Sequence, residues 1–490
     1  MENVIEDLAN KIYINNKYVE AKGQDRLKLY NPATGNLVSE QVAIASQTDV
    51  DSAVQAAEAA MLPGSPWRTM TASDRAACFW KLSELISDPV HSDIIGKLDA
   101  ACFGRPLSQF AAIDAKVARD GLRYYAGWVD KFHGECHTQE GGFIKCVRRE
   151  PIGVCAAIIA WNGPLPSIFM KAGPALAAGN ALILKPSEKT PLGALYVADL
   201  FREAGFPPGV FQVVTGAGQV GAMLASHMRI RKISFTGSVA TGKKIQEAAA
   251  KSNLKRVTLE LGGKSPLIVF DDAKLDLAAF WGANTIALNS GQYCVAASRV
   301  YVQQGVYDAF LEKYKGALEQ IAAAKGDPFE KGTVYGPVAD KLQFDRVSHY
   351  IEAGKKEATL LTGGEVDDGA AGLYIPPTVF VDPKPDARIY KEEIFGPVST
   401  VRKFKTEEEV VAMANDSEYG LNAGVFTQDL DRAWRMTSSL ESGTVCINAM
   451  SMVTTQTPFG GVKQSGYGSE GGMDSLLAYT QVKTVIISAT

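Results

Sequence analysis

Cys294 stands in a short loop of small and polar residues, Asn289-Ser290-Gly291-Gln292-Tyr293-Cys294, just after a long apolar helical run. A loop of this kind can hold a thiol exposed and activated, whereas cysteine in a packed core is inert. Gly291 allows a tight backbone turn there. Glu260 ends a predicted buried strand, and Gly262 and Gly263 after it let other groups approach. A carboxyl so placed has a raised pKa and can serve as a general base. The plainer reading pairs it with Lys264 at a loop mouth. Asn162, in Ala160-Trp161-Asn162-Gly163-Pro164, follows another strand end. Its amide can donate to a developing oxyanion, or simply close an Asx turn.

Two glycine-bearing turns are candidates for phosphate contact. Gly216-Ala217-Gly218-Gln219-Val220-Gly221 matches G-x-G-x-x-G after a strand and before a helix, but residues 239–246 lack the expected acidic partner. It reads equally as a cofactor contact or a Gly-rich turn. In Phe235-Thr236-Gly237-Ser238, Ser238 can cap the next helix, whose free N–H groups would favour a phosphate. His133, Cys136, His137 and Cys146 match no common zinc spacing, and the two cysteines flank a β-prone run that fits a hairpin; no metal site is expected.

The elements that must position these groups alternate. Strands are predicted over 152–160, 181–185, 210–214, 230–235 and 257–261, with helices over 165–178, 191–204, 219–227 and 239–250 between them. This order implies a parallel sheet with helices on both faces, binding ligands at the carboxyl ends of its strands. A second series follows, with strands over 266–270 and 299–302 and helices over 275–288 and 306–324. The β-prone runs 141–149 and 480–488 belong to neither series and read either as strands added to a neighbouring subunit or as a surface hairpin.

The chain has 490 residues, about three typical domain lengths. Lys and Arg number 50 against 54 Asp and Glu, a net charge of −4 that argues against a nucleic-acid binder. Apolar residues at 46% and charged residues at 21% match ordinary globular proteins. No apolar run approaches the roughly 20 residues of a membrane span. The acidic start, MENVIEDLANKIYI, resembles neither a secretory nor a transit leader. An odd count of 7 scattered cysteines suits free thiols in a reducing compartment, so a cytoplasmic location is expected.

Together these residues resemble the aldehyde dehydrogenase superfamily from about residue 10 to the end. The matching pieces run in the family's order: Asn31-Pro32-Ala33-Thr34-Gly35, Trp161-Asn162, Lys185-Pro186-Ser187-Glu188, Phe235-Thr236-Gly237-Ser238, and Glu260-Leu261-Gly262-Gly263-Lys264-Ser265-Pro266. Gly291-Gln292-Tyr293-Cys294, Glu392-Glu393-Ile394-Phe395-Gly396-Pro397-Val398 and Pro458-Phe459-Gly460-Gly461 complete the set. The resemblance implies that Cys294 is the nucleophile, that Asn162 and the Cys294 N–H form the oxyanion hole, and that Glu260 activates water. Lys171 would support proton transfer. Lys185 and Glu188 would hold the adenosine ribose, with Ser238 and Trp161 along the pyrophosphate and Gly216 lining the adenine slot. Glu393 would bind the nicotinamide ribose, with Phe395 beside the ring. The implied cofactor is NAD, favoured over NADP because Glu188 repels a 2′-phosphate. Glu260 favours hydrolysis to a carboxylic acid over acylation of CoA; a CoA-acylating or non-catalytic member of the scaffold is the alternative.

The implied architecture is α/β. A doubly wound NAD-binding domain takes residues 1–127 and 149–259, a catalytic domain 260–476, and a small oligomerisation element 128–148 and 477–490. A homodimer or homotetramer acting on a small aldehyde, without membrane or nucleic acid, is expected. Several relatives carry aromatic rings where this chain has Gly163, Met170 and Val453. Their loss opens the tunnel to a bulky, elongated or aromatic aldehyde, unless Tyr293, Phe459, Met450 and Met452 refill the space. No Arg or Lys pair stands in the tunnel stretches, which disfavours a semialdehyde carrying a carboxylate.

Overall fold

The computed structural model describes residues 1–367, 369 and 372–489. The predicted alternation builds an eight-stranded sheet. Its five central strands are parallel, in the order Phe211–Val213, Ala181–Lys185, Val154–Ile158, Lys232–Thr236, Arg256–Glu260. Numbered along the chain, that order is 3-2-1-4-5, so the direction of winding reverses between Val154–Ile158 and Lys232–Thr236. The crevice beyond the carboxyl ends at such a reversal is where open α/β sheets bind ligands. The fully buried runs Val154–Ile158 and Ala181–Lys185 are apolar on both faces, as a sheet covered on both sides requires.

A second, seven-stranded sheet holds Ser265–Val269 between Ala297–Gln303, its central strand, and Asn422–Phe426, parallel to both. The chain leaves the first sheet at Glu260 and enters the second at Ser265, so residues 261–264 bridge the carboxyl end of one to the amino end of the other. Gly466–Tyr467, far along the chain, returns to pair with Leu259 and Glu260 at the edge of the first sheet.

The two unassigned β-prone runs pair with each other. Thr480–Ser488 lies antiparallel to Phe143–Pro151 over nine residue pairs, from Thr480 opposite Pro151 to Ser488 opposite Phe143, and Glu135–Cys136 adds a third strand. They are therefore partners within one chain, a long-range pairing and not a simple hairpin. Among the described residues no helix is long and apolar enough to cross a membrane.

Candidate active site

Both sheets aim their ends at one place. Glu260 is the last residue of Arg256–Glu260, and its side chain is buried. Cys294 precedes Ala297–Gln303 on a loop held by three consecutive left-handed residues, Asn289 (φ 50°), Ser290 (φ 53°) and Gly291 (φ 71°). Only glycine fits at 291, because a Cβ there would lie 2.2 Å from the Gly396 backbone. Ser290 Oγ donates to Gly336 O at 2.5 Å and stabilises the left-handed turn. Asn162 Nδ2 donates to Gln292 O at 3.1 Å, and Asn289 Nδ2 donates to Asn162 O at 3.1 Å. The Asn162 amide is thus locked beside the Cys294 loop, with one of its two N–H groups used in fixing it.

The electrostatics tie these groups together. Burial, reinforced by the Glu470 charge, pushes the Glu260 carboxyl up to about 7, against the opposing pull of Lys171, Cys294 and Thr236. Burial, then the charges of Glu260 and Glu393, push the Cys294 thiol well above its ordinary value. In the resting site the proton therefore sits on sulfur, with the Glu260 carboxyl against it. One oxygen of Glu260, Oε1, has no hydrogen-bond partner among the described residues. Lys171 is fully buried on the helix Pro164–Ala177 and pairs with Glu470. Sequence reasoning missed Glu470; the one local signal is a carboxylate set among glycines, of which Gly466, Gly468, Gly471 and Gly472 all adopt positive φ. Gln292 was also missed; it is buried, and its side chain bonds Asn289 O and Ala339 N.

The crevice at the winding reversal gathers the proposed cofactor residues. Trp161 follows Val154–Ile158, and Ser238 caps the helix Val239–Lys251 directly after Lys232–Thr236, its Oγ accepting from Thr241 N at 3.3 Å. Lys185 ends its strand buried, 3.8 Å from Glu188, and burial lowers its ammonium to about 8. Gly216 adopts φ 141°, and a Cβ there would strike Val220 at 2.4 Å, whereas Gly218 faces open space. A helix N-terminus with free N–H groups and a glycine turn beside it suit a pyrophosphate. On the opposite wall Glu393 accepts from Gly263 N at 2.9 Å, and Phe395 (φ 60°) meets Trp161 edge to face at 5.4 Å. Lys189 spans the two walls. Its Nζ lies 4.7 Å from the Trp161 ring centre and 2.7 Å from Asp340.

Of the five tunnel candidates, four cluster near the thiol. Met170, Tyr293, Cys294 and Val453 pack on a small apolar cluster of Val295, Leu421 and Phe459. Met170 and Val453 also line a narrow cavity of about 20 Å³ with Gly121, Tyr125, Phe169 and Thr455. That is room for about one water. Gly163 faces open space and is not part of this lining. Met450 is buried in the core of the second sheet and Met452 is exposed, so neither was found refilling the cavity.

A buried carboxyl held against a cysteine, at the mouth of a doubly wound sheet, defines a thiol-bearing α/β enzyme with a dinucleotide-type crevice. The sequence model of the aldehyde dehydrogenase family matches residues 18–485, and the chain belongs to that family. It is 48% identical to the mitochondrial aldehyde dehydrogenase of Rattus norvegicus, the alignment covering 98% of this chain and 92% of the relative. It is 46% identical to cytosolic aldehyde dehydrogenase 1 of the same species, over 97% of this chain and 94% of that one. Its structure is similar to an NAD+ complex of aldehyde dehydrogenase from Bacillus cereus, with a TM-score of 0.95, 41% identity, and coverage of 99% and 98%. The protein is an oxidoreductase acting on the aldehyde group.

Proposed function

We propose that the enzyme oxidises a bulky or elongated aldehyde to its carboxylic acid with NAD, through a thioester on Cys294. The observation that carries this is the buried Glu260 carboxyl against the Cys294 thiol, beside the locked Asn162 amide. Glu260 takes the thiol proton, and the sulfur attacks the aldehyde carbon. The Cys294 N–H and the second Asn162 N–H stabilise the oxyanion of the resulting thiohemiacetal. Bound NAD would supply the acceptor for the hydride that leaves that carbon. Glu260 releases the thiol proton to solvent and then draws a proton from water, whose oxygen attacks the acyl-thioester; the acid leaves, and the proton held on Glu260 returns to the Cys294 sulfur. The Lys171–Glu470 pair holds a balanced charge behind Glu260. Lys185, Glu188, Ser238, Glu393 and Phe395 would hold the cofactor, with Glu188 disfavouring a 2′-phosphate.

For the substrate, Met170 and Val453 line the narrow cavity, and Gly121 across it leaves space that even an added Cβ would not fill, since it would lie 3.9 Å from Thr455. Methionine has three rotatable bonds and moves aside readily. Each further substrate methylene that enters adds about 0.8 kcal/mol, roughly fourfold in kcat/KM. NADH formation across acetaldehyde, hexanal, decanal and benzaldehyde, with NAD or NADP and with or without CoA, tests this. The expected result is a kcat/KM rising with chain length, higher with NAD, and unchanged by CoA. A maximum at acetaldehyde would overturn the substrate reading, and acyl-CoA formation the hydrolytic one.

The three-stranded sheet supports a homo-oligomer. Among the described residues the strand Thr480–Ser488 pairs with a strand on one side only, and it exposes Val482 (58%) and Ile486 (61%) on one face. An unpaired apolar edge of this length invites a second chain. Light scattering should report a dimer or larger for the wild type and a smaller species for Val482→Lys with Ile486→Lys. A monomeric wild type would end this reading.

A further inference from the structure

Two thiols outside the active site face each other at the surface. Cys136 lies on Glu135–Cys136 and Cys146 on Phe143–Pro151, directly opposite one another in an antiparallel pair, with sulfurs 3.3 Å apart. His137 N donates to Lys145 O at 2.9 Å, which makes the adjoining Cys136–Cys146 pair the non-hydrogen-bonded kind. Cα atoms in such pairs lie roughly 4.5 Å apart, inside the span of about 4.4–6.8 Å that a disulfide bridges.

Local features set this register. Gly141 (φ 60°) and Gly142 (φ 81°) make a tight turn between Glu140 and Phe143, and the pairing slips by one residue between that turn and Cys136. Gly134 lets the short strand approach, since a Cβ there would lie 1.9 Å from Val147 O. A further slip of one residue would turn Cys146 to the other face of the sheet.

The pair is also the accessible one. Cys136 is exposed and Cys146 half-buried, whereas Cys78, Cys102, Cys155 and Cys446 are buried and Cys294 lies inside the catalytic site. The Cys136 strand forms the edge of its sheet away from Thr480–Ser488, so a subunit contact through the latter leaves the thiols open.

We propose that Cys136 and Cys146 form a dithiol site that exchanges with small oxidised disulfides of the glutathione type and closes to an intramolecular disulfide. Cys136, the more exposed, attacks one sulfur of the disulfide as thiolate and releases one small thiolate. Cys146 then attacks the Cys136 sulfur of the mixed disulfide and releases the second. Both cysteine protons end on the two small thiols, the cysteines are oxidised by two electrons, and the small disulfide is reduced by two. The closed ring ties the edge strand to Phe143–Pro151. The catalytic thiol takes no part.

The test treats the reduced full-length enzyme with oxidised glutathione, blocks free thiols with N-ethylmaleimide, and digests it with trypsin without reduction. Cleavage after Lys131, Lys145 and Arg148 separates residues 132–145 from 146–148. In most chains these two peptides should emerge joined and two hydrogens lighter than their combined mass. In Cys146→Ser the link should vanish and Cys136 should carry glutathione. Recovery of both wild-type peptides unlinked, whether alkylated or glutathionylated, would overturn the proposal, as would a link from either to another cysteine.

Discussion

Replacing Cys294 with Ala ends aldehyde-dependent NADH formation, with kcat falling by at least roughly ten-thousand-fold, while NAD still binds. The size follows from the work assigned to one atom. On the proposed route the sulfur makes the covalent bond, the adjoining backbone N–H faces the oxyanion, and the thiol supplies the first proton that Glu260 takes. Donors that remain, such as the Asn162 amide, stabilise a charge that can no longer form. On the proposed assignment, cofactor affinity is set elsewhere, by the crevice between Trp161, Ser238 and Glu393. Quenching of Trp161 fluorescence on titration with NAD should therefore give a Kd within about twofold of wild type, a change well under 1 kcal/mol. Turnover within tenfold of wild type would refute the thioester route. Lost NAD binding would mean that the substitution disturbed the loop and not only its chemistry.

What could be read before the fold was known follows from range. Cys294, Glu260 and Asn162 are legible because each sits at the end of a strongly patterned element with small residues next to it, and those local features survive into the structure. The parallel sheet needs only β-α alternation and right-handed crossovers, whereas the 3-2-1-4-5 order is set by which strands pair at long range. Glu470 was invisible because its partner, Lys171, is 299 residues away. The same holds for Phe143–Pro151 and Thr480–Ser488. Their β-branched composition predicts strands, but nothing local says that each is the other's neighbour. The lining beside Met170 and Val453 was invisible for a related reason: Gly121 and Tyr125 come from the helix Ala115–Ala126, far away in sequence.

Glu260→Gln should lower kcat by roughly a hundred- to ten-thousand-fold and erase the acid limb of the pH profile. Burial and Glu470 place the carboxyl at about 7 in the fold, against an ordinary 4.5. A base works only when ionised, so wild-type kcat/KM should rise as pH passes upward through about 7, and the variant should show no such rise. The same shift fixes the sign for stability. Between 4.5 and 7 the folded chain holds a proton that the unfolded chain has released, so raising the pH through that window destabilises the fold. Glutamine, which cannot ionise, escapes that cost. The variant should therefore melt higher than wild type at pH 8 and gain less at pH 5, which separates loss of the base from general damage. Stopped-flow mixing separates the two proton transfers. If Glu260 deprotonates the thiol as well as water, the variant forms its first equivalent of NADH slowly. A fast first equivalent followed by slow turnover would confine Glu260 to hydrolysis, and an acid limb near pH 7 that persists in the variant would remove it from both steps.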